Sequence, residues 1–280
     1  MRFNHKCRLP ALRVHSWGGF GSQLNALALL LHLKLKYPNR EFELIVHTSG
    51  ITRRDLEIST LVPPWIKVSV IDDFQTGVKR HSNKPSLKSF FIKALIFMNL
   101  ITRPNDDQSF SNIKIWTISA RGHYSQIQHP PAVFQELSKL LDISPSNVRS
   151  DENVVHYRLG DLLSLDKGFI KPESLSQIIN SLSNRKWLVL SDSPRSARNL
   201  LNQNGCVIKS GEYKQLQSID VIQKGVGASV FIGTNSKISI WISLFRIKFG
   251  ERETYLPLTL QEALNSIIGT VHNDVLKFYQ

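Results

Sequence analysis

The chain has 280 residues, of which 41% are hydrophobic and 20% are charged. This composition is typical of one large or two average-sized folded domains, and it excludes disorder, collagen and coiled coil. Only two cysteines occur, Cys7 and Cys206, so neither a disulfide framework nor a cysteine-rich zinc site can be built, and we expect a reducing compartment. The formal net charge of +13 predicts a polyanionic partner: nucleic acid, an anionic membrane surface or a phosphate-bearing substrate.

The hydropathy pattern predicts no membrane span. The longest apolar stretches, 27–33 and 90–100, are short or carry Lys93, and a spanning helix needs about 20 apolar residues. The amino terminus is basic and runs into Pro10 and Arg13 instead of an apolar core, so we do not expect a signal peptide. The sequence therefore predicts a cytoplasmic protein.

The first half of the chain alternates predicted strands and helices. A strand at 11–15 is followed by the glycine segment Gly18–Gly21 and by leucines at helical spacing, with Ser22 as the expected helix cap and Pro38 beyond the end. Further strands are predicted at 43–47, 66–71 and 113–118, and helices at 87–100 and 132–141. The polar and basic stretch 76–88 is predicted to be a surface loop.

The second half repeats the alternation after a polar segment at 142–151, which is predicted to be a linker. We therefore expect two domains, residues 1–146 and 147–280. Strands are predicted at 154–157, 187–190, 206–209 and 230–232, and helices at 172–182, 194–202, 219–226 and 237–245. This pattern predicts an α/β fold with a parallel sheet in each half.

Backbone amides of the glycine segment are the first candidate phosphate contacts. Gly19, Gly21, Ser22 and Gln23 lie where a strand gives way to a helix amino terminus, where a phosphate can approach closely. A tight strand-to-helix turn is the alternative. A dinucleotide-binding fingerprint fits poorly because Leu24 stands in place of its third glycine.

The sharpest local motif is the segment His156–Asp161, at the carboxyl end of a predicted strand. His156 and Arg158 are two residues apart and so share a face, and Arg158 could grip a phosphate with two hydrogen bonds. Asp161 could orient either of them. The alternatives are an Arg158–Asp161 ion pair that only stabilises the loop, and a His156 that is simply a core residue.

Two more polar segments follow predicted strands. Ser191 and Asp192 precede a helix and are explained by capping, although Asp192 could also accept hydrogen bonds from a ribose or a base. Asn235, Ser236 and Ser239 offer hydroxyls and helix amides that suit a diphosphate, with capping again the alternative. Three such loops in one half of the chain together predict a nucleotide pocket.

Motifs for several other chemistries are missing from the sequence. It contains no nucleophile elbow, no His-Glu-x-x-His, no Cys-x-x-Cys and no Asp-x-Asp. The adjacent acids at 72–73 and 106–107 fall in predicted loops and are interpreted as surface residues. We therefore expect no essential divalent metal.

The order of these motifs resembles that of the GDP-fucose-dependent fucosyltransferases, and most closely the bacterial α-1,2-fucosyltransferases. The matching segments are Gly18–Gln23, Arg121–Gln126, His156–Asp161, Ser191–Asp192 and Asn235–Trp241. The resemblance implies a GT-B fold, with two Rossmann-like domains whose parallel sheets face each other across a cleft. It also implies that residues 1–146 receive the acceptor and residues 147–280 hold the nucleotide sugar.

The resemblance implies an inverting transfer of fucose from a GDP-sugar, without cofactor or divalent metal. The acceptor would be an oligosaccharide or lipid-linked glycan in bacterial surface polysaccharide (O-antigen or capsule) biosynthesis. Arg158 would neutralise the departing diphosphate, and His156 and Asp161 are the other catalytic candidates. The donor-binding candidates are Gly19, Gly21, Ser22, Gln23, Arg158, Ser191, Asp192, Asn235, Ser236 and Ser239.

Three alternatives remain open. Ser22, Ser193, Ile238 and Ile240 depart from the family pattern, so another nucleotide sugar could be the donor. A protein that binds a nucleotide sugar without transferring it would keep the same residues. A basic nucleic-acid-binding protein has only the net charge in its favour, and because no recognition motif is present we expect no nucleic acid. The basic residues 79–93 instead predict peripheral attachment to the anionic inner face of the plasma membrane.

Overall fold

A computed structural model of the chain describes residues 9–50, 52–74, 87–102, 113–144, 150–160, 162, 170–182, 185–206, 208, 212–250, 253–268 and 276–280. The chain divides into two compact units, Met1–Val133 and Phe134–Gln280. Each unit contains one sheet whose strands pair in parallel. The predicted α/β class with two parallel sheets is confirmed. None of the described helices combines the length and apolar character that crossing a bilayer requires.

The first unit is built on a sheet of five described strands. These are β1 (Leu12–Trp17), β2 (Phe42–His47), β3 (Ile66–Ile71), β4 (Ile101–Thr102) and β5 (Ser119–Arg121), in the order β3-β2-β1-β5-β4. Its helices are α1 (Phe20–Lys36) and α2 (Leu87–Phe97), with a 3-10 turn at Ser59–Leu61 and the start of α3 (Pro131–Leu140). The strand order reverses between β1 and β5, so polar side chains at the carboxyl ends of these strands share one sheet edge.

The second unit has a sheet of six described strands. These are β6 (Asn153–His156), β7 (Trp187–Leu190), β8 (Glu212–Lys214), β9 (Val230–Gly233), β10 (Thr254–Pro257) and β11 (Leu276–Tyr279), in the order β11-β10-β9-β6-β7-β8. The helices are α4 (Pro172–Ser181), α5 (Pro194–Gln203), α6 (Ser218–Gly227), α7 (Lys237–Lys248) and α8 (Gln261–Ile268), with a 3-10 turn at Leu258–Leu260. The strands β7 and β8 follow β6 on one side of the sheet, and β9, β10 and β11 then follow on its other side. The strand order therefore reverses between β6 and β9.

The apolar patterning explains which elements form the core. The strands β6, β7 and β9 are buried along their whole length, which is typical of central parallel strands covered on both faces. One charged residue is also fully buried. Arg246 on α7 donates from Nε to Thr254 Oγ1 at 2.8 Å and from Nη1 to the carbonyl oxygens of Gly225 at 3.2 Å and Val226 at 3.0 Å. It therefore satisfies carbonyls at the end of α6 that have no partner within the helix.

Three local predictions are wrong. Residues 113–118 form a turn and not a strand, because the Arg40 guanidinium bonds to the carbonyl oxygens of Ile115 and Thr117 and takes the acceptors that a strand would use. In the segment 206–209, the described Cys206 and Ile208 lie outside any strand, and the edge strand is β8. Ser22 does not cap α1, since that helix begins at Phe20 with Gly19 as its N-cap.

The division between the units falls earlier in the chain than the boundary predicted at 146/147. Phe134 on α3 contacts the rings of Trp241 and Phe245 at 6.1 and 6.4 Å, so most of α3 packs with the second unit. Residues 145–149 of the predicted linker, and the predicted surface loop up to residue 86, lie outside the described residues. The strands β10 and β11 and the helix α8 were not predicted from the sequence.

Candidate functional site

Polar residues from three loops meet at the carboxyl edge of the second unit's sheet. They follow the adjacent strands β6, β7 and β9, and β6 and β9 flank the point where the strand order reverses. Open parallel sheets bind ligands at such reversal points, because the two loops leave the sheet in opposite directions and open a crevice.

The Thr234 hydroxyl joins the two loops that flank the reversal point. Its Oγ1 donates to the carbonyl oxygen of His156 at 2.9 Å and accepts from the backbone amide of Arg158 at 3.0 Å. Thr234 is 1% exposed, so both bonds are shielded from water. The start of the Arg158 loop is thereby fixed to the end of β9.

The Asp192 carboxylate holds the next part of the same loop. Its Oδ1 accepts hydrogen bonds from the amides of Leu159 at 2.9 Å and Gly160 at 3.0 Å. A Cβ on Gly160 would collide with Asp192 Oδ2, so a larger residue at this position would displace the carboxylate. Asp192 therefore acts as a clamp on the Arg158 loop. This role differs from the helix capping and the nucleoside binding that the sequence predicted.

His156 lies at the end of β6 and is 7% exposed. Its Nδ1 lies 2.9 Å from the hydroxyl of Ser239, which is completely buried on α7. Burial, and to a smaller extent the positive charge of Arg158, lower the pKa of His156 to about 4. The ring is therefore neutral at pH 7, and His156 is a buried anchor between β6 and α7.

Arg158 is half-buried and follows His156 by two residues. The Asp192 carboxylate bonds to the amides of the two residues that follow Arg158 in the same loop. The structure thus brings together four of the predicted site residues, Arg158, His156, Asp192 and Ser239. Asp161, the other catalytic candidate, lies outside the described residues.

Ser236 and Ser191 have local structural roles. The buried Ser236 is the N-cap of α7 and accepts from the amide of Ile238 at 3.1 Å, as the capping alternative predicted. The hydroxyl of Ser191 accepts from the amide of Ser193 at 3.1 Å, whereas Ser193, the N-cap of α5, makes no side-chain capping bond. Asn235 is half-buried just before the start of α7, at the positive end of the helix dipole.

The predicted glycine segment belongs to the first unit. Gly18 has φ +108°, a left-handed conformation that favours glycine, and it makes the sharp turn from β1 into α1. The amide of Phe20 donates to the Glu57 carboxylate at 3.0 Å. A carboxylate therefore occupies the helix amino terminus at which a phosphate was predicted beside Gly19 and Gly21.

Gln23 has a structural role. Its side chain is completely buried, and its Nε2 donates to the carbonyl oxygens of Asp55 at 2.7 Å and Gly18 at 3.3 Å. Its Oε1 accepts from the amide of Glu57 at 2.9 Å. The amide group of Gln23 therefore holds the 55–57 segment against the glycine turn, and binding of the donor by Gln23 stays a prediction.

Thr234 and Gly160 are residues of the candidate site for which the sequence predicted no role. Thr234 precedes a recognised Asn-Ser segment and Gly160 lies inside the His156–Asp161 motif, but their partners are more than 30 residues away in the chain. Within the described ranges, no three histidine, cysteine, aspartate or glutamate side chains group together as a metal ion would require.

Comparisons with known proteins give structural similarity at low sequence identity. No family model matches the chain. No curated protein matches it either. Among solved structures, E. coli heptosyltransferase WaaC with ADP is 13% identical, with a TM-score of 0.44, over 95% of this chain and 93% of that one.

Two further solved structures have similar values. E. coli ADP-heptose LPS heptosyltransferase II is 7% identical, with a TM-score of 0.44, over 96% of this chain and 89% of that one. A family 9 glycosyl transferase from Veillonella parvula is 11% identical, with a TM-score of 0.40, over 89% of this chain and 82% of that one. The ligands of these proteins are therefore not assigned to this chain.

Proposed function

We propose that the protein is a glycosyltransferase that binds a nucleotide sugar through its second unit and transfers the sugar to a glycan acceptor with inversion. The observation that carries the proposal is the loop after β6, which presents Arg158 at the reversal point of the sheet. Thr234 and Asp192 hold that loop from both sides through four hydrogen bonds of 2.9 to 3.0 Å. A loop fixed in this way is preorganised for a ligand at the sheet edge.

The chemistry of the loop suits a diphosphate. An arginine can bind phosphate oxygens with two parallel hydrogen bonds, and the amino terminus of α7 adds the positive end of a helix dipole at the same edge. Inverting transfer breaks the bond between the anomeric carbon and the diphosphate, which departs with the electron pair. A fixed cation that is aimed at this developing charge lowers the barrier without a metal ion.

The resemblance of the motifs adds a donor to this proposal. We propose GDP-fucose as the nucleotide sugar and an oligosaccharide or lipid-linked glycan of a bacterial surface polysaccharide as the acceptor. In this scheme Arg158 contacts the diphosphate. His156 is neutral and supports the Arg158 loop through its contact with Ser239. Asp192 and Ser236 act as positioning residues, because their oxygens are bonded to backbone amides.

Calorimetric titration tests the proposal. GDP, UDP, dTDP, ADP and CMP are titrated without metal into the wild type, Arg158→Ala and Arg185→Ala. Arg185 is the matched control, because it pairs with Glu253 at 3.3 Å near the amino ends of the strands, at the opposite edge of the sheet. We expect selective binding of GDP, a loss of affinity of about tenfold to a hundredfold in Arg158→Ala, and wild-type affinity in Arg185→Ala.

Each other outcome contradicts part of the proposal. Selective binding of another nucleotide removes GDP-fucose. Equal losses in both variants remove Arg158 as the diphosphate contact. No nucleotide binding together with salt-sensitive retention on DNA or RNA removes the glycosyltransferase proposal in favour of a nucleic-acid-binding protein.

We also propose that the protein attaches peripherally to an anionic membrane, where lipid-linked acceptors lie. The support is α2 and the residue after it, which expose Phe91 (66%), Phe97 (88%) and Met98 (51%) next to the exposed Lys93. Apolar and basic side chains on one segment suit the interface of a membrane that carries anionic lipids. Sedimentation with vesicles of phosphatidylcholine, with and without phosphatidylserine, tests this, and equal binding to both kinds of vesicle contradicts it.

A further inference from the structure

Three side chains of the first unit form a hydrogen-bonded chain that the proposed nucleotide site does not use. His15 lies on β1, His47 ends β2 and Asp73 follows β3, so adjacent strands bring the three to one sheet edge. His15 Nδ1 lies 2.9 Å from His47 Nε2, and His47 Nδ1 lies 2.8 Å from Asp73 Oδ2. Both rings are buried, at 5% and 7% exposure.

The Asp73 carboxylate fixes the direction of its hydrogen bond with His47, and a single proton on the His47 ring then sets the direction of the second bond. Although partial burial opposes it, hydrogen bonds from His47 and from the amide of Ser49 hold the pKa of Asp73 below its ordinary value, so it is ionised and only accepts. His47 Nδ1 must then donate, which leaves the lone pair of a neutral His47 on Nε2. His15 Nδ1 donates to that lone pair, and the lone pair of His15 remains on Nε2.

Two aromatic residues hold the hydrogen-bonded His15–His47–Asp73 chain in place. The ring of Trp17 stacks on His47 with centroids 4.4 Å apart and on His15 with centroids 5.7 Å apart. The hydroxyl of Tyr124, which is buried, donates to the carbonyl oxygen of His15 at 2.8 Å. No other described residue bonds to His15 Nε2, so within the described part of the protein this acceptor has no donor.

Burial is the main reason why the ring of His15 is neutral. It lowers the pKa of His15 to about 4, with further lowering by the electrostatic effects of Arg121, His47 and Arg13 and an opposing effect of Glu43. Arg121 pairs with His15 in register across β1 and β5. Its Nε is buried and has no hydrogen-bond partner among the described residues, so a donor and an acceptor both lack partners at this edge.

We propose that His15 Nε2 accepts the proton of a carbohydrate hydroxyl bound at this edge of the first unit, with His47 and Asp73 as the positioning relay. The ligand class follows from an acceptor nitrogen, an arginine Nε without a partner and a half-buried tryptophan ring, which together suit a polyhydroxylated ring. This inference rests on the proposed function for the identity of the reaction and deepens it, because it supplies the base that activates the acceptor.

The proton transfer balances without an added reactant. The acceptor oxygen forms a bond to the anomeric carbon, and the bond from that carbon to the diphosphate breaks with its electron pair on the diphosphate. The hydroxyl proton moves to His15 Nε2, the Nδ1 proton of His15 moves to His47 Nε2, and the positive charge then lies on His47 beside the Asp73 carboxylate. Because an oxygen that is bonding to the sugar cation is strongly acidic, a weakly basic imidazole suffices as acceptor.

The first test uses the wild-type protein and requires no activity. Long-range ¹H–¹⁵N correlation spectra of ¹⁵N-histidine-labelled protein at pH 7 report which ring nitrogen carries the proton. His15→Gln and His47→Gln assign the two spin systems among the nine histidines. We expect the Nδ1–H form for both residues. The Nε2–H form on His15 would overturn the proposal, since Nε2 would then be unable to accept a proton.

The second test measures turnover with water as the acceptor. Release of nucleotide is followed for the nucleotide sugar whose nucleotide binds most tightly in calorimetry. We expect His15→Gln to lower the rate constant by about 100-fold and Asp73→Asn by about tenfold, with nucleotide affinity within twofold of wild type. The matched control is Asp72→Asn, which removes a neighbouring carboxylate that bonds to Thr48 and Arg53 but not to His47.

The outcomes separate failure of this inference from failure of the proposed function. A wild type that neither binds nor cleaves any nucleotide sugar contradicts the proposed function. The histidine spectra are then the only test of the relay. A wild type that cleaves the donor at the same rate as His15→Gln contradicts the inference and leaves the proposed function standing. Equal losses in Asp73→Asn and Asp72→Asn would mean that these carboxylates act only on the local fold, and would overturn the relay.

Discussion

Replacing Thr234 by valine tests whether this hydroxyl couples the two loops of the second unit. Valine has almost the same shape as threonine but can neither donate nor accept, so the substitution removes two hydrogen bonds without opening a cavity. The carbonyl oxygen of His156 and the amide of Arg158 lose partners at 2.9 and 3.0 Å. Because Thr234 is buried, water cannot replace the hydroxyl without disturbing the sheet edge.

The expected cost follows from these two contacts. An unsatisfied buried polar group costs about 1–3 kcal/mol, so the two groups that lose a partner in Thr234→Val should destabilise the second unit by about 2–6 kcal/mol. Such a cost raises the population of open forms by about 30-fold at the lower end and about 20,000-fold at the upper end. Thr234→Ser keeps the hydroxyl and removes only a methyl group, so we expect it to cost about 1 kcal/mol.

Hydrogen exchange measured by mass spectrometry on a peptide covering 153–160 is the direct assay, and urea unfolding gives the matching free energy. We expect the amide of Arg158 to exchange much faster in Thr234→Val than in Thr234→Ser. If the two variants exchange alike and unfold within 0.5 kcal/mol of each other, the hydroxyl does not hold the loop and the argument for a preorganised site fails.

Three further predictions concern the same unit. Gly160→Ala should displace the Asp192 carboxylate and weaken nucleotide binding about tenfold, with no further loss when Asp192→Ala is added; additive calorimetric losses would contradict a shared clamp. Burial, with help from Arg158, lowers the pKa of His156 to about 4, so protonation favours the unfolded chain and stability falls as the pH drops from about 6.5 towards 4. The urea-derived stability of His156→Gln should therefore change less than that of wild type between pH 7 and 5, by about 2 kcal/mol, and an unchanged difference would contradict this. Arg246→Met leaves several buried carbonyls without a donor and should cost at least about 3 kcal/mol in urea unfolding; a cost below about 1 kcal/mol would mean that water replaces the guanidinium.

The local sequence pattern was sufficient to predict those strands and helices that depend on the spacing of hydrophobic residues. The strands 66–71 and 187–190 have the predicted bounds, and α4 and α5 differ from prediction by one residue. Their periodicity and flanking prolines act within a few residues, so the sequence carries the information directly. The motif His156–Asp161 was also located correctly at a strand's carboxyl end.

Side-chain partners that lie far apart in the chain decided the rest. Residues 113–118 have the composition of a strand, but Arg40 takes the carbonyl acceptors, and no pattern within the segment carries that information. Gln23 was predicted to bind a ligand because of its motif, whereas its amide holds a segment some thirty residues away.

The α/β class, most of the strands and helices, and the loops in which a nucleotide site was predicted all follow from patterns in the amino-acid sequence. The pairing of polar groups within the protein depends instead on how the strands are ordered in space. Thr234, Asp192 and the His15–His47–Asp73 chain all depend on parallel strands that bring residues 26 to 78 positions apart within hydrogen-bond distance. Hydrogen bonds act over about 3 Å in space and not along the chain, so their pairing becomes visible only once the sheet order is fixed.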